Sequence, residues 1–341
     1  MILAIEIGGT KLQLAVGVGD GTAFVAQERF VVDQSAGATG ILETIAAAGK
    51  RLAREHQLSQ TGIGFGGPVN SDDGTVVKSH HVSGWDGFPL AEWARREFDL
   101  PAIVENDAHV AALGEARLGA GRGCDPVLYV TVGSGVGGGL VHAGEIFCGH
   151  APAVCELGHL RPGFAADSAE QTVESIASGW SIAEAVRSRL TSPEIYRLTA
   201  GFGKAPSSPE VVRQRLIEAE EADEADAADL LDRCDADLTK LNACDVALAA
   251  EAGNRLAADV FDRAVTALGW SIAQAVTLCA PRVVVVGGGV SLAGEDLFFR
   301  PLRKAAQRYV FPPLANSFEI RPAALGEDVV LHGAAVLARG A

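Results

Sequence analysis

The chain has 341 residues, 48% of them hydrophobic, and a formal net charge of −15. That length predicts two lobes of about 100–200 residues each, and the apolar fraction excludes a largely disordered chain. The acidity disfavours nucleic acid and anionic membranes as partners, but it leaves open an anionic nucleotide, which needs only local backbone donors.

The N-terminus has no basic stretch followed by an apolar core and cleavage site, and no run approaches the ~20 apolar residues of a membrane span. A cytoplasmic protein without membrane attachment is expected. The stretch "AIEIGGTKLQLAVGVGDG", Ala4 to Gly21, reads as strand, glycine turn and strand, with Glu6 just before Gly8 and Gly9. A hairpin whose acid merely opens the turn and a ligand loop are both open on this stretch alone. Next come a helical pattern in "TGILETIAAAGKRLAREH", a strand "TGIGFGGPV" that runs into Gly66-Gly67, a helix "LAEWARREF" and a strand "AIVEND". The second half carries "VLYVTVGSGVGGGLV", a long helical period in "LAADVFDRAVTALGWSIAQAVTLCA" and the strand "PRVVVVGGGV".

This alternation predicts an α/β fold with buried sheets. Glycine turns recur after strands at Gly8-Gly9, Gly66-Gly67, Gly133 to Gly139 and Gly287 to Gly289, as if one strand-turn device were reused. Two similar lobes facing a shared cleft, residues 1–115 and 116–341, account for that recurrence. Between about 192 and 243 the chain is acidic, alanine-rich and without strand pattern, as in "EAEEADEADAADLLDRCDAD". A solvated helical insertion on the second lobe is expected there. The six cysteines are scattered without a C-x-x-C pair, which favours reduced thiols over disulfides or a zinc site.

Three segments carry chemistry. "VTVGSGVGGGLV" sets Gly133, Gly135, Gly137, Gly138 and Gly139 between apolar runs. Without Cβ atoms such a backbone can wrap phosphate oxygens, and Thr131 and Ser134 add hydroxyl donors; the plain alternative is a hairpin turn, which needs only one or two glycines. In "VENDAHVAALGEARLG", Asn106 and Asp107 fall between a strand and a helix. Either can cap the helix, and an aspartate there can instead take a proton from a substrate hydroxyl that attacks phosphorus. "CELGHLRPG" and "TVESIASG" supply Glu156, His159 and Glu174. Two carboxylates and an imidazole match the donors and acceptors of a carbohydrate, although a core histidine and a helix N-terminal acid are the ordinary reading.

Taken in order, "EIGGTK", "GFGGPVN", "GWDGFPL", "ENDAHVAALGE", "VTVGSGVGGGLVHAGEIFCG", "ELGH", "VESIASG" and "VVVVGGGVSLAGEDLF" resemble the ROK family of sugar kinases and sugar-responsive repressors. The resemblance covers nearly the whole chain except the acidic segment. It implies a two-lobed actin-like, hexokinase-like ATPase (ribonuclease H-like) fold, with ATP- and Mg²⁺-dependent phosphorylation of a hexose or N-acylhexosamine, at C6. It places Gly8, Gly9, Thr10 and Lys11 with Gly133 to Gly139 on the phosphates, and Gly287, Gly288 and Gly289 near adenosine. By the same resemblance Asp107 is the base, and Gly67, Asn106, Asp107, Glu156, His159 and Glu174 contact the sugar. Glu6 stands where the family usually has an aspartate that assists Mg²⁺. Many relatives bind zinc through three cysteines between the histidine and second glutamate; here no cysteine lies between His159 and Glu174, so no family-type zinc site is expected. No DNA-reading helix-turn-helix precedes the first strand, so a repressor is not expected. A dimer or tetramer is implied. The rivals are a catalytically weak sugar- or nucleotide-binding protein that kept the fold, and an interaction protein using the acidic segment.

Overall fold

The computed structural model describes residues 1–79, 82–163, 168, 170–191 and 224–340. The first sheet contains β1 (Ile2–Ile7), β2 (Lys11–Gly17), β3 (Ala26–Val31), β4 (Gln60–Phe65) and β5 (Ala102–Asn106), in the order β3-β2-β1-β4-β5. β1 to β3 are antiparallel neighbours, whereas β4 and β5 join in parallel. β1 is buried along its whole length because both sheet faces are covered, whereas β3 alternates half-buried and exposed residues as an edge strand does. Helix α1 (Gly37–Glu55) covers one face with Ile41, Ile45, Ala48 and Leu52, which recur every three or four residues, and α2 (Leu90–Phe98) packs beside it. Each of the isoleucines and the leucine, fully buried, contributes about 1.5–3 kcal/mol.

After α3 (Asp107–Arg117) the same plan is repeated. Strands β6 (Val127–Val132), β7 (Val136–His142), β8 (Glu145–Ile146), β9 (Val283–Gly287) and β10 (Glu319–Pro322) form a second sheet in the order β8-β7-β6-β9-β10, with three antiparallel neighbours followed by two parallel ones. The recurring glycine turns thus have a topological basis: Gly8-Gly9 follows β1 as Gly133 follows β6, and Gly66 follows β4 as Gly288 follows β9. The outer face of this sheet is covered by α4 (Gly179–Thr191), α5 (Ala243–Glu251), the 25-residue α6 (Arg255–Cys279) and α7 (Arg300–Tyr309).

A third core lies between the sheets. There α3 and the last helix, α8 (Val329–Gly340), pack against Ala4 and Ala15 of the first sheet and Val127, Tyr129 and Val285 of the second. α8 therefore returns to β1 and β4 although it ends the chain. Where α3 and α8 cross, backbone meets backbone: a Cβ on Gly333 would lie 1.9 Å from the Val110 carbonyl oxygen, and one on Gly114 3.0 Å from that of Val329. Next to Gly114, the buried Glu115 accepts from the Ala324 and Leu325 amides at 2.8 and 2.9 Å and from Ala120 at 2.7 Å. Three amide donors compensate the burial of this carboxylate.

The acidic segment departs from expectation. Residues 192–223 lie outside the described residues, while 224–233 are helical. Leu230, Cys234 and Leu241 are 0, 3 and 1% exposed in the second core, with Leu238 packed against it. Their spacing of three to four forms an apolar stripe that an alanine- and acid-rich composition conceals, so this end of the segment is packed rather than solvated.

Candidate active site

Three contiguous cavities of about 390, 1000 and 250 Å³ open between the two sheets. Among the described residues, Asp107 is the one that lines all of them. It stands at the carboxyl end of β5 and the start of α3, where strands of such sheets usually present ligand-binding groups. The helix cap falls to Asn106, whose Oδ1 accepts from the Ala108 and His109 amides at 2.9 and 3.2 Å. Asn106 is fixed a second time, because its Nδ2 donates to the Gly67 carbonyl at 3.0 Å. Asp107 is thus relieved of capping, and a single oxygen accepts from the Ala108 amide at 2.8 Å. Burial, together with the nearby charges of Glu6 and Glu156, pushes its carboxyl up to about 7.

Glu6 sits on β1 and is 8% exposed. Lys11 lies 3.0 Å from its Oε1, and Gln13 donates to Oε2 at 2.7 Å. Burial raises the Glu6 carboxyl despite these partners. The opening acid of "EIGGTK" is therefore more than a turn starter: the turn itself is closed by the Gly8 amide donating to the Lys11 carbonyl at 2.9 Å, and Glu6 points its interactions across the hairpin. Gly8, Gly9, Thr10 and Lys11 line the largest cavity opposite Gly133, Ser134 and Gly289.

The second glycine run is divided. Only Gly133, Ser134 and Gly135 form the β6–β7 connection, with the Gly133 carbonyl accepting from the Gly179 amide at 2.8 Å. Gly137, Gly138 and Gly139 belong to β7, which corrects the expectation of one loop from 133 to 139. A Cβ on Gly139 would lie 2.8 Å from Ala112, and one on Gly138 2.8 Å from the Cys155 carbonyl, so these glycines let α3 and the 155–157 turn approach the strand. Gly137 and Gly138 still border the smallest cavity, as does Thr131. Gly287, which ends β9, and the following Gly288 and Gly289 line the cavity of about 390 Å³, and Gly289 also borders the largest one; Gly288 has φ +89°, and a Cβ there would meet the Val132 backbone.

Asn106, Asp107, Glu156 and Glu174 come together around the smallest cavity. One Glu174 oxygen accepts from the Val136 amide at 2.8 Å, which ties the short helix Glu174–Ala177 to the glycine hairpin. Gly67 backs this group through Asn106. His159 is exposed and does not line the cavity, so the structure does not bring it to the other sugar candidates.

Several lining residues escaped sequence reasoning. Tyr129 is buried beneath Gly287, its hydroxyl 2.6 Å from where a Cβ on that glycine would be, and burial raises it well above an ordinary phenol. Trp180 opens α4 at 65% exposure on the wall of the largest cavity. Arg187 reaches from α4 to the Leu238 and Leu241 carbonyls at 2.7 and 2.6 Å, and so holds Thr239, Lys240 and Asn242 against the same cavity. An aromatic residue directly after "ASG" was the available signal for Trp180; nothing local marks the others. Among the described residues no group of three or more His, Cys, Asp or Glu is arranged to hold a metal, and no helix is long and apolar enough to cross a membrane.

The sequence profile of the ROK family matches residues 2–341. A glucokinase from Halalkalibacterium halodurans is 31% identical over 340 residues, covering 97% of this chain and 92% of the relative. A second, from Thermotoga maritima, is 28% identical across 98% of this chain and 96% of its own. Among solved structures, a ROK family glucokinase from Streptomyces griseus in complex with glucose and AMPPNP superimposes with a TM-score of 0.78 at 28% identity, over 100% of this chain and 99% of that one. The ROK hexokinase from Thermus thermophilus gives 0.72 at 25% identity, over 99% and 97%.

Proposed function

The chain belongs to the ROK family and is a sugar kinase of glucokinase-like type with the two-domain actin-like, hexokinase-like ATPase fold, and from that premise we propose how its own residues carry the reaction. The substrates are ATP and a hexose or N-acylhexosamine; phosphoryl transfer is to the C6 hydroxyl, with Asp107 as the base. The observation that carries the proposal is the place of Asp107 where the three cavities meet, with a carboxyl raised to about 7. A base with a pKa near neutrality is ionised enough to accept a proton and basic enough to draw one from a hydroxyl.

The smallest cavity, with Asn106, Glu156 and Glu174, is the sugar site; its polar wall matches adjacent hydroxyls. The phosphates lie between Gly8–Lys11 and Gly133–Gly135, where the glycine turns let the backbone approach and the Lys11 ammonium offsets charge. Adenosine extends past Gly287–Gly289. His159 is kept only as an outer contact, available if the turn Leu157–His159 moves towards the sugar.

Glu6 fits Mg²⁺. It is a hard oxygen donor on the wall shared with Asp107, its charge is among the causes that raise Asp107, and a cation carried in with a nucleotide needs only one or two protein carboxylates. Bound there, Mg²⁺ supplies neutralisation of phosphate charge. Until then Lys11 covers one Glu6 oxygen.

The lobes are residues 1–115 and 116–341, with α8 returning to the first; the protein is cytoplasmic and a dimer or tetramer. The rival, a weakly catalytic binding protein, draws on the Lys11–Glu6 pair, which occupies the proposed metal ligand. Direct detection of ADP across a panel of hexoses and N-acylhexosamines decides between them: sugar-dependent ADP is expected, and binding without ADP for every sugar overturns the kinase reading.

A further inference from the structure

His109 lies two residues beyond Asp107 on α3, 4% exposed, and no step above uses it. Its Nδ1 is 3.1 Å from Glu105 Oε1, and its Nε2 is 3.2 Å from the Val154 carbonyl oxygen. Both neighbours are acceptors. A neutral imidazole has one N–H and would leave a lone pair facing an oxygen, so the ring satisfies both contacts only when both nitrogens carry protons. Burial pulls the imidazole down, but the hydrogen bond and charge of Glu105, with Val154 and Glu156, leave it above the ordinary histidine value. Glu105 complements it: burial is outweighed by His109, Ser71 and the Asn106 amide, which donates at 2.7 Å, and the carboxyl is lowered.

The other titratable groups around the ring include Asp107 and Glu156 towards the site, and Asp72, Cys148 and His150 across a cavity of about 70 Å³. The ring therefore joins three pieces of the site. Glu105 directly precedes Asn106 at the end of β5, His109 rides on the helix that starts with Asp107, and Val154 belongs to the segment that leads through Cys155, at φ +58°, to Glu156.

We infer that His109, as an imidazolium clamped between Glu105 and Val154, is a positioning residue that locks the segment bearing Glu156 to the helix bearing Asp107, so that the sugar-facing carboxylate is set before substrate arrives. The inference rests on the sugar-site reading for its effect on kinetics, but the clamp itself does not.

Three measurements on the full-length protein test it. Nitrogen-15 NMR of histidine-labelled protein at pH 7.5, assigned with His109→Gln, is expected to show both His109 nitrogens protonated; a neutral ring overturns the clamp. Hydrogen exchange over residues 147–156 is expected to accelerate at least tenfold in His109→Phe and less in His109→Gln, which keeps donors; unchanged exchange overturns the locking role. Because His109→Phe leaves the Glu105 charge buried without its partner, the double variant with Glu105→Gln is measured beside it. With D-glucose, KM is expected to rise about tenfold in His109→Phe with kcat within about threefold, and to be partly restored in His109→Gln; equal losses in kcat and no change in KM overturn positioning. If the wild type makes no ADP with any sugar, the kinase reading fails and the first two measurements still decide the clamp.

Discussion

Replacing Asp107 with asparagine keeps the shape of the side chain and its acceptor for the Ala108 amide, but it removes the charge that the site holds at a cost. The carboxyl rises from an ordinary 3.8 to about 7 in the folded protein. At about 1.4 kcal/mol per pH unit, this corresponds to about 4 kcal/mol. The sign follows from proton binding: below pH ~4 the group is protonated in both folded and unfolded chains, and the stability is fully present. As pH rises towards 7 the unfolded chain releases its proton while the folded one retains it, so stability is lost until the folded group also ionises. Asp107→Asn has no such loss. Urea unfolding should therefore show the variant more stable than wild type by about 4 kcal/mol at pH 8 and nearly equal to it at pH 3.5. The same substitution should lower turnover by about 10²–10⁴ while sugar affinity stays within about tenfold. In the wild type, kcat/KM should fall about tenfold per pH unit below about 7, as the base is protonated. A stability gap that does not change with pH, or near-normal turnover in the variant, would refute the assignment of Asp107.

Glu6→Gln should raise the Mg²⁺ needed for half-maximal activity by about tenfold or more, whereas Glu6→Asp should retain activity; an unchanged Mg²⁺ titration in the glutamine variant would return Glu6 to a structural role in the hairpin. Elemental analysis should find no stoichiometric zinc, and a zinc chelator that spares Mg²⁺ should leave activity intact; one tightly held zinc per chain would contradict this. Trp180 is the most exposed of the four tryptophans, so ATP should change its emission in the wild type and leave the emission of Trp180→Phe nearly unaltered. Equal responses in both proteins would place the nucleotide elsewhere.

Much of this was legible because it is local. Glycines after apolar strands marked the ends of β1, β4, β6 and β9, and "VEND" marked the strand-to-helix junction. Sequence could not divide the labour between Asn106 and Asp107: both suit a cap, and only the backbone direction at the start of α3 gives that role to Asn106. Nor could it separate Gly133–Gly135, which turn the chain, from Gly137–Gly139, which clear space for α3 and Cys155, since those neighbours are distant in sequence. His159 sat beside Glu156 in the motif, yet its turn carries the imidazole outwards. The packed end of the acidic segment was hidden because four apolar residues were diluted among aspartates and alanines.

The meeting of Gly114 with Gly333 has one more consequence. Where two helices touch through their main chains, their separation is set by atoms that every sequence shares, and the contact acts like a gauge block between the sheets. A side-chain substitution in either outer core leaves that main-chain contact in place, and with it the spacing between the sheets at the start of the cleft. A single methyl group at either glycine does not: with a backbone oxygen only 1.9 Å from a Cβ on Gly333, the intrusion must be transmitted along both helices, one of which begins at Asp107.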